Sequence, residues 1–591
     1  MDARTITTST RLNGSRRRRT RTEIDHLQLA AVILALSALL FGLATRAGAQ
    51  SADASIWGTI TDSTGAAVPG AKVTVTDVET GAARNLVTDA SGKYDAPALP
   101  VGNYEVSIQK SGFRPEEQTG ITLVVGQRRE VTVALAVGSV QQVVKVEDTN
   151  PPVAVSTVEP SGLVGEQQVK DLPLNGRSYD QLITLNPGIV NYSAERSGTV
   201  GTSNSVVGNM FAVSGRRPQE NLFLLNGVEY TGASEIDNTP GGASGQLLGV
   251  DAVREFAVVT DTYGAEYGKR PGAQVNIVTE SGANELHGSV YEFLRNSDFD
   301  ARNFFDQGAI PHFERNVFGA ALGGPIQKDK TFFFANFEGF QQRLGVSDVT
   351  FVPDAEADAG YVPSTCPSTS TTSLTHVGVA ASVAPLLALW PTANGPDLGC
   401  GIAEDFSHPL QVIREDFGTA RLDRTISTKD TADAVYTIDD SADNTPTANP
   451  LSFDLESLRE QVVSLSETHL FSPVVLNKFT VGFSRAAFYF NGDSLVDLPG
   501  FVQGQAIGTV VIGGSTAPNS PSAITSAGTN AGDNLHAVRN LFTEEDQVTI
   551  THGNQLIELG VWLERLQAND ELAQDQNAQA TFTSLTTFLQ G

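Results

Sequence analysis

The amino-acid sequence predicts an all-β-dominated protein. It divides into an N-terminal β-sandwich, a small α+β plug, and the first part, about nine strands, of an antiparallel transmembrane β-barrel. Three observations carry this. Short β-prone runs broken by Gly, Pro and Asp fill residues 56–137. Beyond His287 the runs lengthen to 12–16 residues with alternating faces, where globular strands average about 5–6 residues. The connections between those long runs alternate short and long, as the two ends of a bacterial barrel do.

The 591 residues leave room for several domains. The net charge is −28; the first 49 residues carry eight Arg against three acids, so the remainder is near −33. Such an acidic chain lacks the clustered cations that nucleic acid requires, and no nucleic-acid partner is expected. Two cysteines, Cys366 and Cys400, are too few for a disulfide scaffold. They lie 34 residues apart in one polar segment and could close a loop by a disulfide in an oxidising compartment.

Residues 1–49 have the order of a signal peptide. Arg16 to Arg19 and Arg21 precede an apolar run from Leu27 to Ala44, and Ala47-Gly48-Ala49 is a small-x-small cleavage site. A retained anchor is the other reading, since 18 residues is the lower edge of spanning length. The first domain, 50–137, has strands at Ile56 to Thr61, Val73 to Val78, Tyr104 to Ile108, Ile121 to Val125 and Val131 to Leu135. Turn signals separate them, and the spacing gives a sandwich of roughly seven strands. Gly58-Thr59-Ile60-Thr61-Asp62, Pro69-Gly70-Ala71-Lys72-Val73, Thr88 to Tyr94 and Gly102 to Val106 resemble the carboxypeptidase regulatory-like domain. That resemblance implies a non-catalytic domain of carbohydrate-binding-like fold, serving as a spacer or as a sugar-binding module.

Residues 138–160 form a linker. Gln142, Val143, Val144, Lys145, Val146 and Glu147 are a β-prone run ahead of Asn150-Pro151-Pro152. This run is either the last strand of the sandwich or an extended segment able to add to a partner's sheet. The plug is expected over 161–284. Val169 to Arg177, Leu182 to Gly188, Val213 to Pro218, Asn221 to Val228 and Val250 to Phe256 resemble the plug of Oar-like TonB-dependent outer-membrane receptors. Ala265 to Gly268, Ser281 to Gly288, Leu322 to Ile326 and Lys328 to Phe334 continue the resemblance, which weakens after Phe340. It implies a cell outer-membrane receptor and transporter, with sandwich and plug on the periplasmic side. The implied partners are a TonB-type energy-coupling protein at residues 142–147, outer-membrane lipid, and the barrel assembly machinery. The ligand class stays open among oligosaccharide, peptide and metal chelate.

Within the plug, Leu222 to Val228 reads as a buried strand ended by an Asn-Gly turn, and Asp251 to Phe256 as a short helix with an acid in its first turn. Arg177, Arg216, Arg217 and Arg254 are cations in an acidic chain. They pair with inward wall carboxylates or are solvated surface groups.

The wall, within 285–591, is expected to have strands near 287–296, 314–323, 331–343, 415–425, 431–441, 458–470, 475–490, 540–552 and 554–568. Phe479, Val481, Phe483, Ala487 and Tyr489 share one face against Lys478, Thr480, Gly482 and Ser484. Ile557, Leu559, Val561 and Leu563 likewise oppose Glu558, Gly560 and Glu564. A plugged transporter needs about 22 strands, and the chain ends at Gly591 without a terminal aromatic. The sequence is therefore expected to be a C-terminally incomplete fragment or a truncated product. No catalytic or metal residues and no cofactor are expected. His-x-x-Glu is absent, and His312-Phe313-Glu314 has no paired cysteines near it. A surface adhesion or structural outer-membrane protein, and a carbohydrate-binding module, are the alternatives to a transporter.

Overall fold

A computed structural model describes residues 54–591 except 139–143, 148–160, 192–208, 231–238, 261–267, 303–305, 307–309, 365–372, 514–523, 531–533, 553–554 and 572–575. The expected signal peptide lies outside the described residues.

The sandwich comprises β1 (Ala54–Asp62), β2 (Lys72–Asp77), β3 (Ala83–Val87), β4 (Lys93–Leu99), β5 (Gly102–Gln109), β6 (Glu116–Leu123), β7 (Arg128–Glu130), β8 (Val133–Leu135) and β9 (Val144–Glu147). One sheet runs β4-β1-β7, with β8 also on β1; the other runs β3-β2-β5-β6-β9. Alternating residues meet between the sheets, where Ile56, Ile60, Val73, Val106, Ile108 and Leu135 are all buried. Each such side chain contributes about 1.5–3 kcal/mol of burial.

The plug holds β10 (Ser161–Gly165), α1 (Glu166–Asp171), β11 (Ile189–Asn191), β12 (Phe211–Val213), β13 (Leu222–Leu225), β14 (Val228–Glu229), β15 (Val253–Val259) and β16 (Gln274–Thr279). Its main sheet is ordered β10-β15-β16-β13-β14. The expected Asn-Gly turn joins β13 to β14, with Asn226 at φ 49° and Gly227 at φ 83°, the double positive φ that this dipeptide accommodates. The expected helix over Asp251 to Phe256 is corrected. A single 3₁₀ turn, Val250–Ala252, opens directly into β15. β15 is hydrogen-bonded on both sides, to β10 and β16, and its Val253, Val258 and Val259 suit a pleated interior position.

The wall is one nine-stranded antiparallel sheet in chain order. It contains β17 (His287–Asn296), β18 (Phe313–Gln327), β19 (Thr331–Gly345), β20 (Leu410–Thr425), β21 (Asp430–Pro446), β22 (Ser452–Ser472), β23 (Val475–Ser494), β24 (Leu535–His552) and β25 (Gln555–Glu571). The sheet is open, with β17 and β25 as its edges. Short turns at 328–330, 426–429 and 473–474 mark one end; at the other, three long connections, 297–312, 346–409 and 495–534, accompany a five-residue turn at 447–451. The alternation read from sequence is present: Val481 and Tyr489 face outward at 38% and 45% exposure, while Thr480 and Ser484 are buried inward. Among the described residues no helix is long and apolar enough to cross a membrane.

At the long-connection end, segments from 348–407, 496–512, 524–527 and 582–589 share a separate core around Val352, Leu389, Trp390, Val510 and Phe588. Trp390 Nε1 donates to the Thr525 carbonyl at 2.7 Å, tying two of the long connections together. Cys400, on this domain, is disulfide-bonded. Cys366, the chain's other cysteine, lies outside the described residues.

Candidate functional site

The plug packs on the inner face of the wall, and the contact is built by strand parity. On four consecutive strands one inward position carries an acid: Glu338 on β19, Glu415 on β20, Asp439 on β21 and Glu460 on β22. All four are at most 1% exposed. The plug segment 241–249 runs across this row and presents backbone amides to it. Gly241 N donates to Glu460 Oε2 at 3.3 Å, and Ser244 N to Glu415 Oε2 at 3.3 Å. Ala243 N donates to Ser441 Oγ at 2.7 Å, and Gly249 N to Glu338 Oε2 at 3.1 Å.

Arg177 lies in this interface. Its Nε donates to Glu338 Oε1 at 3.0 Å, and its Nη2 pairs with Asp251 within the plug. The guanidinium stacks on Tyr291, 4.1 Å from the ring centre, and on Phe293 at 5.1 Å. A second bridge from plug to wall, not foreseen from sequence, is Lys269. It joins plug Glu229 to wall Glu564 and lies over Trp562.

The other three arginines do not reach the wall. Arg216 and Arg217 sit exposed on the turn after β12, and among the described residues neither makes an ion pair. That turn leaves the plug core, so their long side chains extend into solvent. Arg254 points from β15 to the sandwich and grips Glu79 through both terminal nitrogens at 3.0 Å. Plug–wall pairing is thus replaced by plug–sandwich pairing at Arg254. Beside it Glu255 accepts a hydrogen bond from Val125 N of the sandwich. Burial pushes the Glu255 carboxyl up to about 7.

The 142–147 run is placed in part. Val144–Glu147 lies parallel to β6 as the edge strand of a sandwich sheet, with Lys145 Nζ 2.9 Å from Glu117. Gln142 and Val143 lie outside the described residues. Inside the plug, Asp180 is fully buried and accepts from Asn209 Nδ2 at 2.7 Å. Burial raises it to about 6.

One trio of metal-type donors is formed by the wall register alone: Asp430, Glu467 and His469. Asp430 stands directly opposite His469 across β21 and β22, and their carboxylate–imidazole contact of 2.5 Å accounts for the grouping.

Gly249 is one of the tight points of the plug–wall contact. It adopts φ +102°, and a Cβ there would lie 2.5 Å from the Phe417 ring. Gly249→Ala is therefore expected to weaken plug seating by about 1–3 kcal/mol. Faster hydrogen exchange of the 241–249 amides, with sandwich amides unchanged, is the check.

A strand wall with one lipid-type face and a plug-filled inner face defines an outer-membrane β-barrel protein. The chain belongs to the family described as outer membrane beta barrel domain, whose model matches residues 278–591, more than half of the sequence. The model for the carboxypeptidase regulatory-like domain matches residues 55–136. Among characterised proteins, the TonB-dependent transporter Oar of Myxococcus xanthus is 28% identical over 323 residues. That match covers 52% of this chain and 28% of Oar, so the chain spans under a third of the relative's length. Among solved structures, the outer membrane transporter YddB of Escherichia coli aligns with a TM-score of 0.43 and 12% identity, over 69% of this chain and 48% of that one. FpvA of P. aeruginosa, solved with heterologous pyoverdines, aligns at 0.39 and 12%, over 70% and 52%. The protein is placed in the outer membrane.

Proposed function

We propose that this chain carries the plug, the periplasmic sandwich and the first wall strands of a TonB-dependent receptor. Such a receptor would import a ligand across the outer membrane without covalent chemistry. The observation that carries the reading is the plug itself: a domain with its own core, seated on the inner face of a transmembrane sheet. Its contacts are Arg177 to Glu338, Lys269 to Glu564, and backbone amides to wall carboxyls. Beside these polar contacts, Leu248 and Ala252 of the plug bury against Val317, Phe334, Phe340 and Phe417 of the wall, so seating combines separable polar links with one apolar patch. Ligand would be met first at the long-connection end, and a TonB-type protein would pull from the sandwich side. Residues 142–147 are the candidate for that grip, because among the described residues β9 is bonded on one edge only and a partner strand can add to the other.

Deleting Gln142 to Glu147 tests this. Energy-dependent accumulation of ligand by cells is expected to fall to background, with surface binding unchanged. Uptake that survives the deletion removes this segment from the mechanism. A second reading, surface adhesion, is favoured by the separately folded domain at the long-connection end. Cell attachment that persists in the deletion strain while uptake never occurs would support it.

A further inference from the structure

Glu338 has Arg177 for a counter-ion, but among the described residues its three neighbours in the acidic row have none. Asp439 stands directly opposite Glu460 in the register of β21 and β22. Glu415 is one step along, opposite Ser441 on β20 and β21. Like charges in directly opposed positions repel, with Cβ atoms about 5 Å apart. Among the described residues, the groups packed around them supply no positive charge. From the plug come the amides of 241–244 and the phenols of Tyr179 and Tyr230. Asp180 stands beside Tyr179. From the wall come Ser441 and, further along the row, Glu338 already bound to Arg177. Asp440 is on the opposite face of β21, paired there with Arg459 and Arg414.

Two more observations point to a bound species. Both carboxyl oxygens of Asp439, and one each of Glu415 and Glu460, are buried without a hydrogen-bond partner. Independently, Tyr230, 2% exposed, brings its buried hydroxyl from the plug against Glu460 and towards Asp439. Burial keeps both phenols neutral by pushing their ionisation far above the ordinary range. Three carboxylates cannot all ionise in a water-excluded space with no cation.

We propose that Glu415, Asp439 and Glu460 form a proton-binding site at the plug–wall interface, and that the protons they share hold the 241–246 segment of the plug in place. The ligand of this site is the proton. A carboxyl–carboxylate hydrogen bond between neighbours satisfies the orphaned oxygens, as in paired-carboxyl sites. The outer oxygens stay free to accept the Gly241 and Ser244 amides. When the plug moves and water enters, the acids ionise and their mutual repulsion opposes reseating.

The sign follows from proton counting. The seated plug binds more protons than the unseated one, so seating is favoured at low pH and lost as pH rises. The site stands on plug–wall geometry and does not require that uptake be energised.

The test uses the full chain in detergent micelles. Hydrogen exchange of the 241–246 segment, corrected for the intrinsic pH dependence, is measured from mildly acidic to mildly alkaline buffer. Protection is expected to fall by up to about tenfold per pH unit for each proton released. Asp439→Asn, neutral at every pH, is expected to flatten that dependence while keeping the segment protected. Ser441→Ala, which removes an uncharged acceptor, should lower protection equally at all pH values. Infrared spectra of the unmutated protein should show a protonated-carboxyl carbonyl band at neutral pH, diminished in Asp439→Asn or, if that variant does not fold, in Glu460→Gln. The proposal is overturned by protection that does not change with pH in the unmutated chain. It is equally overturned by a carboxyl band that neither substitution reduces.

Discussion

Replacing Arg177 by methionine is expected to weaken seating of the plug by about 3–5 kcal/mol, the usual consequence of stranding a buried charge. Glu338 is fully buried, and Arg177 is 14% exposed. With the guanidinium gone, Glu338 keeps the Gly249 amide and the neutral Tyr291 hydroxyl, neither of which carries a compensating charge. Methionine fills the volume beside Tyr291 and Phe293, so the loss is chiefly electrostatic rather than a cavity. The second half of the test is the double variant Arg177→Met with Glu338→Leu. Removing both partners removes the stranded charge, and most of the lost stability should return. Urea unfolding in micelles, followed by exchange of the 241–249 amides, gives both numbers. If the double variant is no better than the single one, the pair does not act as a unit.

The wall was legible because its signal is local. Phe479, Val481 and Phe483 against Lys478, Thr480 and Gly482 declare a face without reference to any other strand. All nine strands lie where that pattern puts them. Several run further towards the long connections than expected: β20 begins at Leu410 and β22 at Ser452. Those extensions do alternate, with Leu410 and Val412 on one face of β20 and Phe453 and Leu455 on one face of β22, but Arg414 and Ser457 interrupt those faces before the stretch read from sequence begins. The sandwich was legible for the same reason as the wall, through period-two runs and turn residues.

The interface was less legible because it depends on which residues the register brings together. Arg177 could be picked out as a cation in an acidic chain, but its partner Glu338 lies 161 positions away. Nothing near Arg254 marks it for Glu79 rather than for the wall. The acidic row needs four strands in register before it exists at all. Parity alone would have shown that Glu460 shares the inward face of Leu458 and Val462, which is the signal that sequence reading could have used. The helix read at Asp251 to Phe256 failed because one turn of acid-capped propensity is weaker than two ladders of hydrogen bonds.

Docking of the sandwich on the plug is expected to weaken as pH rises through about 7, with Glu255 responsible. Its carboxyl is 6% exposed, and burial lifts it to about 7 from an ordinary value near 4.3. The docked state therefore holds a proton that the undocked state gives up between those two values. That contribution is complete below about pH 4.3 and lost as pH rises through about 7. Its size is roughly 4 kcal/mol by the linkage relation. The surrounding charges do not cancel the effect. Arg254 is committed to Glu79, and Lys170 to Glu166 and Glu280. Glu280 is itself raised by burial and by Glu166. Glu255→Gln should remove the pH dependence while leaving the sandwich docked in alkaline buffer. Arg254→Ala should undock it at every pH, because the two-pronged grip on Glu79 is lost. Trp57 reports the event, since it lines the cavity where the sandwich meets wall residues Val474 and Thr551. A red shift of its emission on raising pH, absent in Glu255→Gln, is the expected result. An identical shift in both proteins would assign the pH sensitivity to another group. Should the shift follow Glu255, the sandwich is a pH-dependent brace on the plug.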